Sequence, residues 1–527
     1  MHPDCLPFTS LPHQTQLFLD FLHHFGKVER FYAPSPFSGP PAAHLQSHPL
    51  PAERRESVAA ILERQNRSLG AGTKALENIQ RLREGASAVV TGQQVGLLGG
   101  PMYALLKAVT ATVLAEKSGA VPIFWLATED HDLAEVSSVH LPATDHLETF
   151  SVAPPHKEGA PVGAIAFDEQ IAALFAGLKE TFGDSDSFEL LKRCYAPGST
   201  FGAAFGRLIA ELFRETGLVL IDPSDVELHR IARPVFDAAL RQWREIDDSV
   251  MARNQELEES GYHAQVKVTP SHTLCFYVDE GVRYPLRHDG SAFVADDLKF
   301  NQEELLRAVE NAPEKFSANV LLRPIMQDYL LPTLCYIGGP AEIAYFAQVE
   351  PVYRKLLGRV TPVVSRFSAT LIEPRQAKLL ERYQMRLADV FCAPEKLREH
   401  IAAKVLPDSI MKSFDAADDH VELALKLIQG PLDALDPTLL AAAENAGSKM
   451  RHQLQSLRDK AARAELRKNS DMQRQADELS TMLYPNKNLQ EREIGAAYFL
   501  LKHGTGIVSR LQELLRPGCH DHQVIFL

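Results

Sequence analysis

Short apolar runs separated by polar or glycine-rich turns dominate the chain up to about residue 375. Ser87–Thr91 (SAVVT) reads as a buried strand, followed by a Gly-rich loop and an apolar helix from about Pro101 to Lys117. Val121–Ala127 (VPIFWLA) reads as a second strand that ends in the acidic turn TEDHD. Strand, turn, helix and strand in that order predict a parallel βαβ unit. Gly217–Ile221, Thr333–Ile337 and Val360–Ser365 are further buried-strand candidates. A helical pattern over Ala52–Arg83 precedes the unit, and the Pro-rich residues 34–51 read as irregular. Residues 140–200 carry strand-like and loop pieces, and 261–320 carry alternating strands; both read as insertions.

From about 376 to 483 the pattern changes to helix formers throughout. Ala443, Gly447, Met450, Leu454, Leu457, Ala461 and Ala464 step by four and three, an a/d seam with Arg451, Arg458, Asp459 and Arg463 off it. A continuous helix from Thr438 to Met482 would be about 67 Å long at 1.5 Å per residue. Two packings are open: an antiparallel hairpin on its own domain, or a coiled-coil arm that pairs with a second copy.

Length and composition bound the class. The 527 residues suggest three or four domains at about 150 residues each. An apolar fraction of 45% with 23% charged residues excludes disorder as the dominant state. A formal charge of −13 argues against a general nucleic-acid or anionic-membrane binder. The most apolar stretch, Val109–Leu126, is interrupted by Glu116 and Lys117, so no membrane helix is expected. The N-terminus lacks the basic and apolar regions of a signal peptide. Cys5, Cys194, Cys275, Cys335, Cys392 and Cys519 are scattered and form no CxxC pair. They are expected to be separate thiols in a reducing, cytoplasmic setting, mostly in the core.

Four clusters carry candidate chemistry. The first, Gly92-Gln93-Gln94-Val95-Gly96-Leu97-Leu98-Gly99-Gly100-Pro101-Met102-Tyr103, joins a strand to a helix. Glycines there admit close backbone approach, and a helix N-terminus favours an anion. The cluster is neither GxxxxGK[ST] nor GxGxxG, and Lys107 lies nearly two turns into the helix. Its bland alternative is a tight turn with no ligand. The second, Glu129-Asp130-His131-Asp132, follows a buried strand, where ligands of open α/β sheets bind. His131 is the acid/base candidate, with Asp130 and Asp132 orienting it or a ribose. A solvated helix cap is the alternative. In the third cluster, Arg323, Gln327 and Asp328 precede Gly338, Gly339, Glu342 and Tyr345, repeating the strand, Gly-Gly-Pro, helix grammar. Arg323 suits a carboxylate or phosphate, or an ion pair with a neighbouring acid. The fourth, YPNKNLQER, offers Asn486, Gln490 and Arg492, or simply a helix start with Asn488 and Glu491 at capping spacing. No metal-ligand set is assigned; Cys519-His520-Asp521-His522 is read as incidental.

The stretches VVTGQQVGLLGGPMYALLKA, FWLATEDHDLAEV, NVLLRPIMQDYLLPTLCYIGGPAEIAYF and YPNKNLQER resemble, in order, those of the BshC family of bacillithiol-biosynthesis cysteine ligases. The resemblance extends to the terminal HQVIFL. It implies an α/β fold with a Rossmann-like parallel-sheet core related to class I aminoacyl-tRNA synthetases and nucleotidylyl transferases. It also implies connecting-peptide insertions and an α-helical coiled-coil arm that forms a homodimer. The implied domain plan is core at 1–139, 201–260 and 321–375, insertions at 140–200 and 261–320, arm at 376–483, and a return to the core at 484–527. The implied reaction joins the carboxyl of L-cysteine to the amine of glucosaminyl-malate. ATP is the expected driver of amide formation, with Mg2+ as its companion. The chain departs from the superfamily in lacking HIGH-type and KMSKS sequences. It departs from the family in having Lys487 where Gly is common. The rival expectations are nucleotidyl transfer to another small acceptor and a non-catalytic nucleotide-binding scaffold.

Overall fold

Five apolar strands build one parallel sheet, in the order Val363–Ser365, Thr333–Gly338, Ala88–Gln93, Val121–Leu126, Val219–Ile221. This computed structural model describes residues 4–33, 49–143, 146–404 and 406–527. Most of the Pro-rich stretch read as irregular, residues 34–48, lies outside the described residues. Val121–Leu126 and Thr333–Gly338 are buried along their whole length. That is why they read as unbroken apolar runs and not as alternations. The helix Met102–Ser118 makes the first crossover and packs Ala111 and Ala115 onto Val89, Leu334 and Ile337. The chain steps outward from Ala88–Gln93 on one side, then returns to place Thr333–Gly338 on the other. The strand order therefore reverses between these two neighbours, a switch point whose carboxyl ends form a natural crevice.

The chain divides into two compact units. The first comprises Met1–Leu141, Glu148–Thr370 and Glu491–Ile525 and contains the parallel sheet. Within it, the predicted helix over 52–83 is two helices, Ala52–Ser68 and Thr73–Arg83, because Gly70 and Gly72 break the run. The earlier insertion is more helical than its sequence suggested, with helices Gln170–Phe182 and Asp186–Cys194. The later one is an antiparallel sheet ordered Leu298–Phe300, Phe293–Ala295, Val282–His288, His272–Asp279, Phe316–Ala318. Asp4–Leu6 pairs antiparallel with the last strand, and Cys5 and Cys519 are joined in a disulfide. The expectation of six separate thiols thus fails for these two: strand pairing of the chain ends brings together residues 514 apart in sequence. Cys194, Cys275 and Cys335 are buried thiols.

The second unit comprises Pro142–Leu147, Leu371–Gln490 and Phe526–Leu527. Its long helices Asp408–Leu435 and Leu439–Lys468 form an antiparallel hairpin around a turn in which Asp436 accepts from the amide and hydroxyl of Thr438. Arg458 reaches Asp415 at 2.8 Å across the pair. A Cβ at Gly447 would overlap Leu425, so the small seam residue permits close approach. The continuous helix expected from Thr438 to Met482 is interrupted at Asn469, whose side chain accepts from the Met472 amide and starts a new helix. The predicted seam is divided: Ala443 is buried, whereas Met450 and Leu457 are exposed. Among the described residues no helix is long and apolar enough to cross a membrane.

Candidate active site

A cavity of about 740 Å³ opens at the carboxyl end of the parallel sheet. Its floor comes from the turns after Ala88–Gln93 and Thr333–Gly338, and the later insertion supplies a wall through Cys275, Phe276 and Arg283. The two turns are held together by Lys107, which is buried. Its Nζ donates to Gly92 O at 2.9 Å and Gln93 Oε1 at 2.8 Å, and pairs with Glu342 Oε2 at 2.5 Å. Glu342 also accepts from the Gly339 amide at 2.7 Å and the Tyr336 hydroxyl at 2.6 Å. Burial alone would raise the Glu342 carboxyl, but Lys107 and the Gly339 amide outweigh it and hold it low. Burial pulls Lys107 down, further than Glu342 restores it.

The cavity lining carries both signs of charge. Arg323 donates to Gln327 Oε1 at 3.0 Å and to the Tyr345 hydroxyl at 3.1 Å, and its guanidinium lies over the Tyr336 ring. Those partners are neutral. Arg283, Arg323 and Arg492 all line the cavity, and among the described residues none has a carboxylate within ion-pair distance. Arg366 differs, pairing with buried Glu491 at 2.7 Å. Gln94 Nε2 donates to Asp130 Oδ2 at 2.7 Å and Glu135 Oε2 at 2.8 Å, holding two carboxylates side by side. Glu129 is turned to His229, 3.2 Å away. His131 stacks edge-on to Phe276, and its Nδ1 lies 3.2 Å from Arg283 Nη1. Burial and Arg283 lower the His131 imidazole below its usual value against the pull of Asp130 and Asp132.

Two family models cover nearly the whole chain. The N-terminal Rossmann-like domain of bacillithiol biosynthesis BshC matches residues 1–367, and its C-terminal coiled-coil domain matches 369–527. The chain belongs to the BshC family. A relative from Koribacter versatilis named "Putative cysteine ligase BshC" is 46% identical over 100% of both chains. Relatives of the same name from Solibacter usitatus and Salinibacter ruber are 35% and 34% identical, covering 100% and 97% of this chain and 100% and 96% of theirs. The Rossmann-like core and the coiled-coil domain expected from the sequence are those of this family.

Of the site candidates, Gly92, Gln93, Gln94, Tyr103, Glu129, Asp130, His131, Arg323, Gly339, Glu342, Tyr345 and Arg492 line the cavity. Others are placed elsewhere. Gly96, Gly99 and Gly100 are buried behind the turn, where the Tyr195 hydroxyl donates to Gly96 O and accepts from the Gly99 amide, both at 2.9 Å. The following helix start offers no anion site at its first amide, because Met102 N donates to Ile494 O at 2.9 Å. Asp132 caps the short helix Leu133–Val136 by accepting from Glu135 N. Gln327 and Asp328 are buried: Gln327 supports Arg323, and Asp328 accepts from the Tyr353 hydroxyl. Gly338 is packed beneath Glu342. Asn486 and Gln490 belong to the second unit, where Gln490 bonds both backbone groups of Leu371 and the carbonyl of Met482. Glu491 does not cap a helix as its spacing suggested; it accepts from Arg366, Ser368 and the Ala369 amide. Lys487, at φ 60, occupies the left-handed region that glycine adopts most readily. His522 contacts Ser368 and Thr370, and Asp521 meets His23, so the C-terminal cluster is dispersed.

Sequence reasoning passed over Lys107, Trp125, Glu135, Arg283, Tyr336 and Arg366. A signal existed for Lys107: a lone cation in an otherwise apolar helix face must find a partner or pay desolvation. Arg283 carried no such signal, because an arginine in an alternating strand ordinarily points to water.

Proposed function

We propose that the chain is a carbon–nitrogen ligase that joins the carboxyl of L-cysteine to the amine of glucosaminyl-malate, with ATP activating the carboxyl. The carrying observation is the cavity's mixed charge: three guanidinium groups without a carboxylate in ion-pair distance and the paired carboxylates of Asp130 and Glu135 line one cavity. Arg323 and Arg492 suit the carboxylates of cysteine and malate, or a phosphate chain. Asp130 and Glu135 suit an ammonium group. This donor set fits an anionic nucleotide, whose bound form would supply the leaving group that a carboxylate lacks. Mg2+ would then be held mainly by the nucleotide phosphates. Substrate-sized volume and a lining with both signs of charge favour small zwitterions and anions over a macromolecular acceptor. Incubating the protein with cysteine, glucosaminyl-malate and ATP should give bacillithiol by mass spectrometry. No product with any nucleotide would refute the reading.

The helical unit fits pairing with a second copy in the cytoplasm. Leu423, Leu427, Ile428 and Leu435 are exposed along one helix of the hairpin, and Leu427 and Leu435 are 70% and 78% accessible. Such a contiguous apolar stripe marks an interaction surface. Sedimentation should show a dimer, and Leu427→Glu should shift it to monomer.

A further inference from the structure

His131 and Arg283 come from distant parts of the chain, one after a strand of the parallel sheet and one on Val282–His288 of the later insertion. Their contact joins Arg283 Nη1 and His131 Nδ1 at 3.2 Å. A guanidinium is always protonated and can only donate. The bond therefore exists only if His131 Nδ1 carries a lone pair, which places the ring proton on Nε2. Asp130 Oδ1 is the competing partner, but it lies 3.9 Å from Nδ1, beyond hydrogen-bond range, and already accepts from the His131 amide at 2.8 Å. Arg283 is itself fixed: its Nη2 donates to Ala318 O at 3.1 Å, and its guanidinium lies 4.1 Å from the centre of the Phe276 ring. Its Nε is buried without a partner. The charged groups facing His131 are Asp130 and Asp132 from its own segment and Arg283 from the insertion wall. Phe276 adds only a ring edge.

We propose that His131 acts as a neutral Nε2–H donor to an anionic substrate oxygen, carboxylate or phosphoryl, with Arg283 as the positioning residue that fixes its tautomer. In this arrangement His131 is not the general base, because its one available lone pair is occupied by Arg283. A donor aimed at an oxygen that gains charge stabilises it without proton transfer. The proposal rests on the ligase reading for the identity of the substrate, but its geometry can be tested without turnover.

The test uses full-length protein labelled with 15N-histidine, with the His131 signals assigned by their loss in His131→Gln. The expected spectrum shows a protonated Nε2 and an unprotonated Nδ1 at pH 7 and above. Arg283→Gln should free Nδ1 and raise the pH at which the ring titrates, because one of the two causes that hold it low is removed while burial remains. Adding pyrophosphate or L-malate separately should shift the Nε2–H signal; the one that does identifies the oxygen as phosphoryl or carboxylate. A proton on Nδ1, a charged ring at pH 7, or no shift with either anion overturns the proposal. Where ligation is observed, His131→Gln, which keeps an N–H near the Nε2 position, should retain kcat within about tenfold. His131→Ala should lose about 10²–10³-fold. Equal losses in the two variants would restore the general-base role. Absence of ligation in the unaltered protein would count against the ligase reading alone, since the spectra stand apart from it.

Discussion

The two turns that floor the cavity share one grammar, strand, glycines, proline and helix, yet they solve the helix start differently. After Ala88–Gln93 the glycines turn away from the cavity. Gly99 and Gly100 take positive φ, Tyr195 ties Gly96 to Gly99, and the first helix amide donates to Ile494. After Thr333–Gly338 the chain enters its helix directly, and Glu342 reaches back to the Gly339 amide. That same carboxylate then faces the cavity and takes Lys107. One turn is satisfied by backbone and a buried tyrosine, the other by a charged side chain at the site. Similar sequence patterns can therefore differ in what they expose to a ligand. Here the exposed chemistry comes from side chains, Gln93, Gln94, Glu342 and Arg323, more than from helix-end amides.

Breaking the charged junction should have the largest effect. Lys107→Met leaves Glu342, half-buried beside the cavity, without its cation and should cost up to about 3–5 kcal/mol in denaturant unfolding. Adding Glu342→Gln should recover much of that loss, since the uncompensated charge is removed while an oxygen remains for Gly339. If the single and double variants are equally unstable, the pair is not what joins the turns. Next in size is Gly92→Ala. A Cβ there would stand 2.9 Å from the Trp125 carbonyl oxygen and 3.0 Å from Trp125 Cβ. Two neighbouring strands would have to part, at about 1–3 kcal/mol with a lowered Tm. The smallest change is expected at the back of the first turn. Tyr195→Phe removes the hydroxyl between Gly96 and Gly99 and should cost about 1–2 kcal/mol, leaving substrate KM nearly unchanged. A large rise in KM for that variant would show that the buried half of the turn shapes the cavity after all.

Much of the core was legible because fully buried parallel strands leave continuous apolar runs, as in VPIFWLA and TLCYI. The acidic turn after the first of these strands was legible for a related reason: ionisable groups at a strand's carboxyl end stand out against an apolar run. Other assignments were not recoverable locally. Asp132 and Asp130 are two residues apart and chemically alike, but one caps a helix and the other faces the cavity. Glu491 satisfies a capping spacing, yet it neutralises Arg366, a residue 125 positions away. Asn469 looked like one polar residue within a helix and instead caps a new one.

The sequence alone determined the strand and helix types, the glycine-rich turns at the sheet's carboxyl end and the separate helical region. These follow from local propensity and hydrophobic period, which act over a few residues. Tertiary structure decided which polar residues meet. Lys107 finds Glu342, His131 finds Arg283, and Cys5 finds Cys519 across separations that no local pattern encodes. The physical reason is that burying a charge or donor is tolerable only with a partner, and the partner is chosen by the packing of whole elements.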